Sequence, residues 1–460
     1  MIDPRDIPPD PLFVQRGHCT LELSTRGRDE LLRSVIGCAN REAGASENLA
    51  ELVSEILDIS ETQISTIMSE HALSVHQWCP VLDEEFLSKG KGGEYDSGPP
   101  HLPPRLVLLL CVFMLTRRSC AHVEHVSTST LYTALKQVSA IGQATGEDLL
   151  DVFRMSMLVA IYECGHGLSR QAYATLSSCV GLFNLIQLDM QNPTYRRCSE
   201  ETFSSLKAAI IMLDRMIPLS AISNSLPIVC PTKQPLSMSI ASKIEPQIPP
   251  PSPTPYASSP RKVHIRAIVA LETGRVLEYS HALQYGGEPA ETYNNLDAAV
   301  SLVIKSLVDK PQPHTWLHCD AIAMAFWWVL LLPNLFIKGL MAISTHLLLQ
   351  QIQVGHLEAQ GPSASQHDSM KAILALKYSR RMAWDMVKVL NNKVENEEIL
   401  SYLPFAGLCC VIRAAIAVLE TTQHGDEGEI TENDIINFLR VLGWFSTRWS
   451  IGSESSPIAR

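Results

Sequence analysis

One spacing constrains this chain more than any other: apolar residues return every three or four positions, segment after segment. Ala172, Leu176, Cys179, Phe183 and Ile186 step by 4, 3, 4 and 3, and Leu206, Ile210, Leu213 and Ile217 step by 4, 3 and 4. That period places each set on one face of a helix. Runs that alternate apolar and polar residues between turns, the mark of half-buried strands, are hard to find. The pattern predicts an all-α protein. Predicted helices include Leu106–Leu115 after Pro103 and Pro104, Asp148–Tyr162, His264–Tyr285, Leu296–Val308, Ala321–Leu332, Ile337–Gln353, Met370–Leu390, Phe405–Glu420 and Glu432–Ser446, the last capped by Thr431.

Between Leu226 and Arg261 the texture changes. Ten prolines fall in this stretch, and QIPPPSPTPYASSP is of low complexity. Such a sequence holds neither a regular helix nor a paired strand, so it reads as a flexible or polyproline-like link. The expected organisation is a partly disordered segment 1–49, helical halves at 50–225 and 262–447 joined by a Pro-rich linker at 226–261, and a tail at 448–460.

Composition limits the function classes. The chain has 460 residues, 46% of them hydrophobic, and a formal net charge of −11. A large core is affordable in area, and no basic excess marks a nucleic-acid surface. The twelve cysteines include no C-x-x-C pair and lie mostly inside apolar runs. They read as small buried hydrophobes of a reducing compartment. Ala321–Ile337 has 17 residues without a charge, but spanning a bilayer takes about 20, and Pro333 and Asn334 interrupt the run. A buried helix is the expectation there, and no membrane partner.

Chemistry-bearing motifs are sparse. His71, His76 and Cys79 lie close together, as do His122 and His125, but neither set has the second pair that a four-ligand structural zinc site needs. No G-x-S-x-G elbow and no phosphate-binding glycine loop occurs. Asp83 and Glu85 read as solvated carboxylates. No catalytic and no metal residue is assigned, and the chain is not expected to be an enzyme.

Two places remain. IYECGHG (Ile161–Gly167) sets Glu163, Cys164 and His166 among glycines between two helices. Metal site, catalytic corner and tight turn are all conceivable readings. Spacing alone favours the turn, with Gly165 and Gly167 letting the backbone bend sharply. In AAIIMLDRMIPL, Asp214 and Arg215 interrupt an apolar run. Ionised groups there must be paired, either with other helices or with a ligand.

At these places the sequence resembles the regulatory domain, or middle homology region, of fungal binuclear zinc-cluster transcription factors. Ser156–Asp189 is similar to that family's most recognisable segment through Tyr162, Glu163, Gly165, His166, Gly167, Tyr173, Leu188 and Asp189. Ile64–Leu87 resembles its first block through His76, Pro80, Leu82 and Phe86. PRLVLLLCVFML, the Asp214–Arg215 block and YSRRMAWDMVKVLNN…LSYLPFAGLCCVIRAAIAVL follow in the family's order, over roughly residues 50–420.

The resemblance implies a regulatory helical body of a transcription regulator of specialised-metabolism or nutrient genes, located in the nucleus with the cytoplasm as a second location, and responsive to a small-molecule effector. It implies other transcription regulators or co-activators, including a zinc-cluster protein, as partners. The family's six-cysteine zinc cluster is not in this sequence, where only Cys19 and Cys38 precede the first block. DNA contact is therefore expected only indirectly, and zinc only through such a cluster upstream or in a partner. The alternative is a metabolite-binding protein or enzyme on a helical scaffold, with a pocket near His166, Asp214 or His318.

Overall fold

The structure, a computed structural model, describes residues 13–15, 21–91, 103–117, 129–146, 148–190, 199–221, 226–233, 260–308, 333–361, 365–393, 411–412, 415–416, 419–421, 431–446 and 449. Among these residues the chain is almost wholly helical. In order come α1 (Thr25–Ala39), α2 (Ala45–Ile59), α3 (Ile64–Leu73), α4 (Val75–Trp78), α5 (Glu84–Lys91), α6 (Pro103–Thr116), α7 (Thr130–Thr145), α8 (Leu149–Gly165), α9 (Ser169–Met190) and α10 (Glu200–Ser220). They are followed by α11 (Pro260–Gln284), α12 (Tyr293–Val308), α13 (Pro333–Gln360), α14 (Gln366–Lys393) and α15 (Glu432–Ser446). A short antiparallel hairpin, β1 (Phe13–Gln15) with β2 (Leu21–Leu23), precedes them.

The all-α expectation holds, and local chemistry explains many of the boundaries. Ser24, Ser129 and Ser199 cap α1, α7 and α10 by accepting the N–H of Gly27, Tyr132 and Thr202. Pro103 and Pro333 open their helices, where the missing N–H costs nothing. Thr431 caps α15 as expected, its Oγ1 accepting the Asp434 N–H at 3.3 Å.

α6 and α8 form the centre. Every residue of α6 from Leu106 to Leu115 is buried, and so is every residue of α8 from Val152 to Gly165. α8 lies against α6, α7, α9 and α10, and α10 in turn packs on α11. Beyond α11, α13 lies against α11, α12 and α14, and α14 against α15. The pairing of α12 with α13 is antiparallel, since Tyr293 meets Gln350 and Asp297 meets His346. Cys79, Cys111, Cys164, Cys179 and Cys230 are fully buried, in line with their reading as core residues. Burial pushes the Cys230 thiol up to about 12.

Three expected boundaries move. Position 50 falls inside α2, and α1 before it buries Leu31 completely, so the helical body begins well ahead of 50. The expected link of 226–261 is fixed at both ends. Residues 226–233 run along α10 and α11, and Pro260 and Arg261 already belong to α11. Trp449, assigned to a tail, is 1% exposed and sits in the core. The helices on either side of the link share one hydrophobic core, because α10 and α11 meet face to face. The predicted helix Ala321–Leu332 and most of Phe405–Glu420 lie outside the described residues. Among those residues no helix is long and apolar enough to cross a membrane.

Candidate functional site

The residues singled out by the sequence gather at buried polar nodes that tie helices together. The corner after α8 is the first. The Gly167 N–H donates to the Cys164 carbonyl at 3.3 Å, and the Leu168 N–H donates to the Glu163 carbonyl at 2.8 Å. This pair of reversed bonds closes a Schellman cap, and it requires a left-handed residue at Gly167, where φ is +77°. The helix–turn–helix reading of IYECGHG is what the structure shows.

We expect Gly167→Val to lower stability by about 1–2 kcal/mol, because a β-branched residue resists that φ. Chemical denaturation measures it. A variant as stable as the wild type would contradict the cap.

Side chains add to the corner what its spacing did not reveal. Glu163 is fully buried, and its Oε1 accepts the Tyr132 hydroxyl at 2.7 Å and the Lys136 ammonium, both from α7. Lys136 is 39% exposed, so the carboxylate is neutralised by a cation that keeps contact with solvent. Burial, and then the neighbouring Glu163 charge, push the Tyr132 phenol well above its ordinary value.

Behind this pair runs a ladder of rings. Tyr132 stacks on Tyr162 with centroids 5.3 Å apart, Tyr162 meets His166 at 4.2 Å, and His166 meets Trp449 at 5.9 Å. Gly165 makes room for the last of them: a Cβ there would lie 2.1 Å from Trp449 Cε3. Its role is close approach and not the bend that spacing suggested: Gly165 is the last helical residue of α8, and Gly167 alone takes the left-handed turn.

The second node is Asp214 with Arg215. Asp214 is 1% exposed and Arg215 is 0% exposed, and the two form an ion pair. Asp214 also accepts the Val229 N–H at 2.7 Å and the Cys230 N–H at 2.9 Å, while Arg215 Nη2 donates to the Cys230 carbonyl at 2.8 Å. The start of the Pro-rich stretch is thereby strapped to α10. The guanidinium lies where a side chain at Gly274 of α11 would stand, since a Cβ there would be 2.5 Å from Arg215 Nε. Burial raises the Asp214 carboxyl, opposed by Arg215 and the two N–H donors. The partners seen are the neighbouring residue and the strap at 229–230, and not another helix as the sequence suggested.

His76 is 5% exposed in α4, its ring 6.2 Å from that of the buried His71, and Pro80 follows it in the core. Among the described residues no group of three or more His, Cys, Asp or Glu side chains is placed to hold a metal ion. His122, His125 and His318 lie outside the described residues. Asp83, read as a solvated carboxylate, instead accepts from Arg154 at 3.0 Å and caps α5 through the Phe86 N–H at 2.7 Å. Glu85 is exposed as expected, paired with Lys89 at 2.9 Å.

A third node escaped the sequence reading. His346 of α13 has Nδ1 2.7 Å from Ser379 Oγ of α14 and Nε2 3.1 Å from Asp297 Oδ1 of α12. Gln350 Nε2 donates to Asp297 at 2.6 Å, and Tyr293 donates to Gln350 at 2.6 Å. Aspartate, histidine and serine here resemble a nucleophile triad in composition only. Ser379 is fully buried, with its Oγ 2.8 Å from the Ala375 carbonyl and 2.7 Å from His346 Nδ1, so its oxygen is enclosed by helices and not open to a substrate. The node is a latch across three helices. Its sequence signal is His346 and Gln350 one turn apart inside the apolar run ISTHLLLQ.

The hydrogen bond from His346 comes first among the groups that hold the Asp297 carboxyl below its ordinary value of 3.8. A folded value below the unfolded one stabilises the protein above about pH 4 and loses that contribution as pH falls through the folded value. The stability gap between wild type and Asp297→Asn should therefore shrink on acidification from about pH 6 to pH 3. Urea denaturation across that range tests this, and a constant gap would contradict it.

Comparison with protein-family models, with curated proteins and with solved structures finds no match for the chain.

Proposed function

We propose that this chain is the helical regulatory body of a fungal-type transcription regulator of specialised-metabolism or nutrient genes, acting in the nucleus. In this reading it makes no base contacts itself. DNA is reached through a zinc cluster, whether upstream in the same gene product or on a partner regulator, and the helical body relays a signal from a small effector or a co-activator. A ligand or partner would do so by binding one packing arrangement of the helices better than another.

The observation that carries the reading is where the family-like residues fall. Glu163, Asp214 and Arg215 are not scattered over the surface: Glu163 is a buried tie between α8 and α7, and Asp214 with Arg215 ties α10 to residues 229–230. A motif kept for its fold is expected to mark such positions, whereas one kept for a reactive pocket is expected to leave its oxygens open. Both Asp214 oxygens are committed to partners within the fold, which supports the regulatory reading over the metabolite-enzyme one at this node, whereas at Glu163 only Oε1 is so committed and Oε2 is buried without a hydrogen-bond partner.

The test is to fuse the full chain to a heterologous DNA-binding domain and follow a nuclear reporter gene. Reporter output should change by about threefold or more. The Asp214→Ala fusion should lose that change. Reporter output equal to that of the DNA-binding domain alone would overturn the reading. Mapping the 5′ end of the transcript then separates an upstream zinc cluster from a partner's.

A further inference from the structure

α14 buries one face and leaves another bare. Ala372, Leu376, Ser379, Ala383 and Val387 are buried, on the helix that packs against α13. On the outer side Met370, Leu374 and Tyr378 follow one another at intervals of four and are 57%, 62% and 56% exposed. Three large apolar side chains in register, each more than half in water, form a continuous stripe and not scattered surface residues.

The stripe has a charge of its own. Lys371 and Arg381 are exposed beside it and Lys377 is half-buried at its edge. Two acidic residues share this helix: Asp368 lies about 120° around it from Leu374, and the half-buried Asp385 lies about 20° from Leu374, one turn beyond Arg381. In a chain of net charge −11 the ridge from Met370 to Tyr378 therefore carries a local basic border that ends at Asp385.

We propose that this face of α14 is a docking site for an acidic amphipathic helix of a partner protein. Its apolar side chains would pack along Met370, Leu374 and Tyr378, and its flanking carboxylates would meet Lys371 and Arg381. A ridge of residues four apart packs into the groove of a partner helix whose own apolar residues recur at three and four. The border selects the sign of the partner's charge.

A second copy of this chain fits worse, because two such faces would set Lys371 and Arg381 against their own likeness. An anionic bilayer fits worse as well: it would repel a chain of net charge −11, whereas a short peptide feels mainly the local face. The proposal is independent of the regulatory reading above and survives its failure.

The test uses the full chain and a fluorescein-labelled helical peptide of about 18 residues, with Leu or Phe at i, i+4, i+7 and i+11 and Asp or Glu between. A sequence-shuffled isomer is the control. Fluorescence anisotropy should show the peptide binding at least about tenfold more tightly than the shuffled isomer. Leu374→Ser should weaken it about tenfold, the effect of losing one buried leucine contact. Arg381→Glu should weaken it several-fold, less so at high salt. Both residues are exposed, so unchanged melting curves establish that the variants fold.

Equal binding of the two peptides, no binding of either, or indifference to Leu374→Ser would overturn the proposal. So would sedimentation with phosphatidylglycerol vesicles in place of peptide binding, which would assign the face to a membrane. A dimer seen by analytical ultracentrifugation, dissolved by Leu374→Ser and unaffected by the peptide, would assign it to a second copy.

Discussion

Replacing Asp214 by alanine should remove about 3–5 kcal/mol of stability, enough to unfold a marginal domain. The reason is geometric. The substitution strips Arg215, which is fully buried, of its counter-charge and leaves the N–H groups of Val229 and Cys230 without their acceptor. An uncompensated buried cation is far more costly than the pair was favourable. Asp214→Ala combined with Arg215→Leu should therefore be more stable than Asp214→Ala alone. Chemical denaturation of the three variants provides the comparison. A single mutant as stable as the wild type, or a double mutant no better than the single, would contradict the node as described. The strap should also loosen: protease cleavage between residues 226 and 233 should become faster in Asp214→Ala at temperatures well below its melting point.

The second large effect concerns a residue beyond the last helix. Trp449→Ala should cost about 3–5 kcal/mol, the usual toll of emptying a site filled by a fully buried indole. A true surface tail would lose almost nothing, within about 0.5 kcal/mol. The contact partner makes the experiment sharper. With Trp449 present, Gly165→Ala forces a Cβ to within 2.1 Å of the ring and should destabilise by about 1–3 kcal/mol. In the Trp449→Ala background the ring that blocks the Cβ is gone, and the same change should cost clearly less. A double-mutant cycle by thermal melting measures this coupling. Additive effects would mean that Gly165 and Trp449 do not touch.

These two sites illustrate different degrees of legibility. The ion pair was visible as two charges in an apolar run, since no helix face can bury an aspartate without a partner. Which backbone would complete it was not visible, because Val229 and Cys230 lie in a proline-rich stretch whose composition speaks for a free link. The contact with Trp449 had no local signal at all. An indole a few residues after a helix looks like any tail residue until the opposite surface is known, and a glycine before a turn is already explained by the turn.

Sequence by itself determined the all-α class, the tight turn at Gly167, the buried thiols and the need of Asp214 and Arg215 for partners. Each of these follows from interactions within a few residues: the helical period, left-handed backbone preference, and the cost of burying charge. Tertiary structure alone decided that α1 and Trp449 contribute to the core and that α10 and α11 meet in one hydrophobic core. It alone joined Asp297, His346 and Ser379, on three helices, into one latch. Those outcomes depend on which faces meet across tens to hundreds of residues. A 3.6-residue period fixes which side of a helix is apolar, but any apolar face can in principle be covered by any other. Shape and charge complementarity in the packed chain make the choice, and they exist only once the chain has folded.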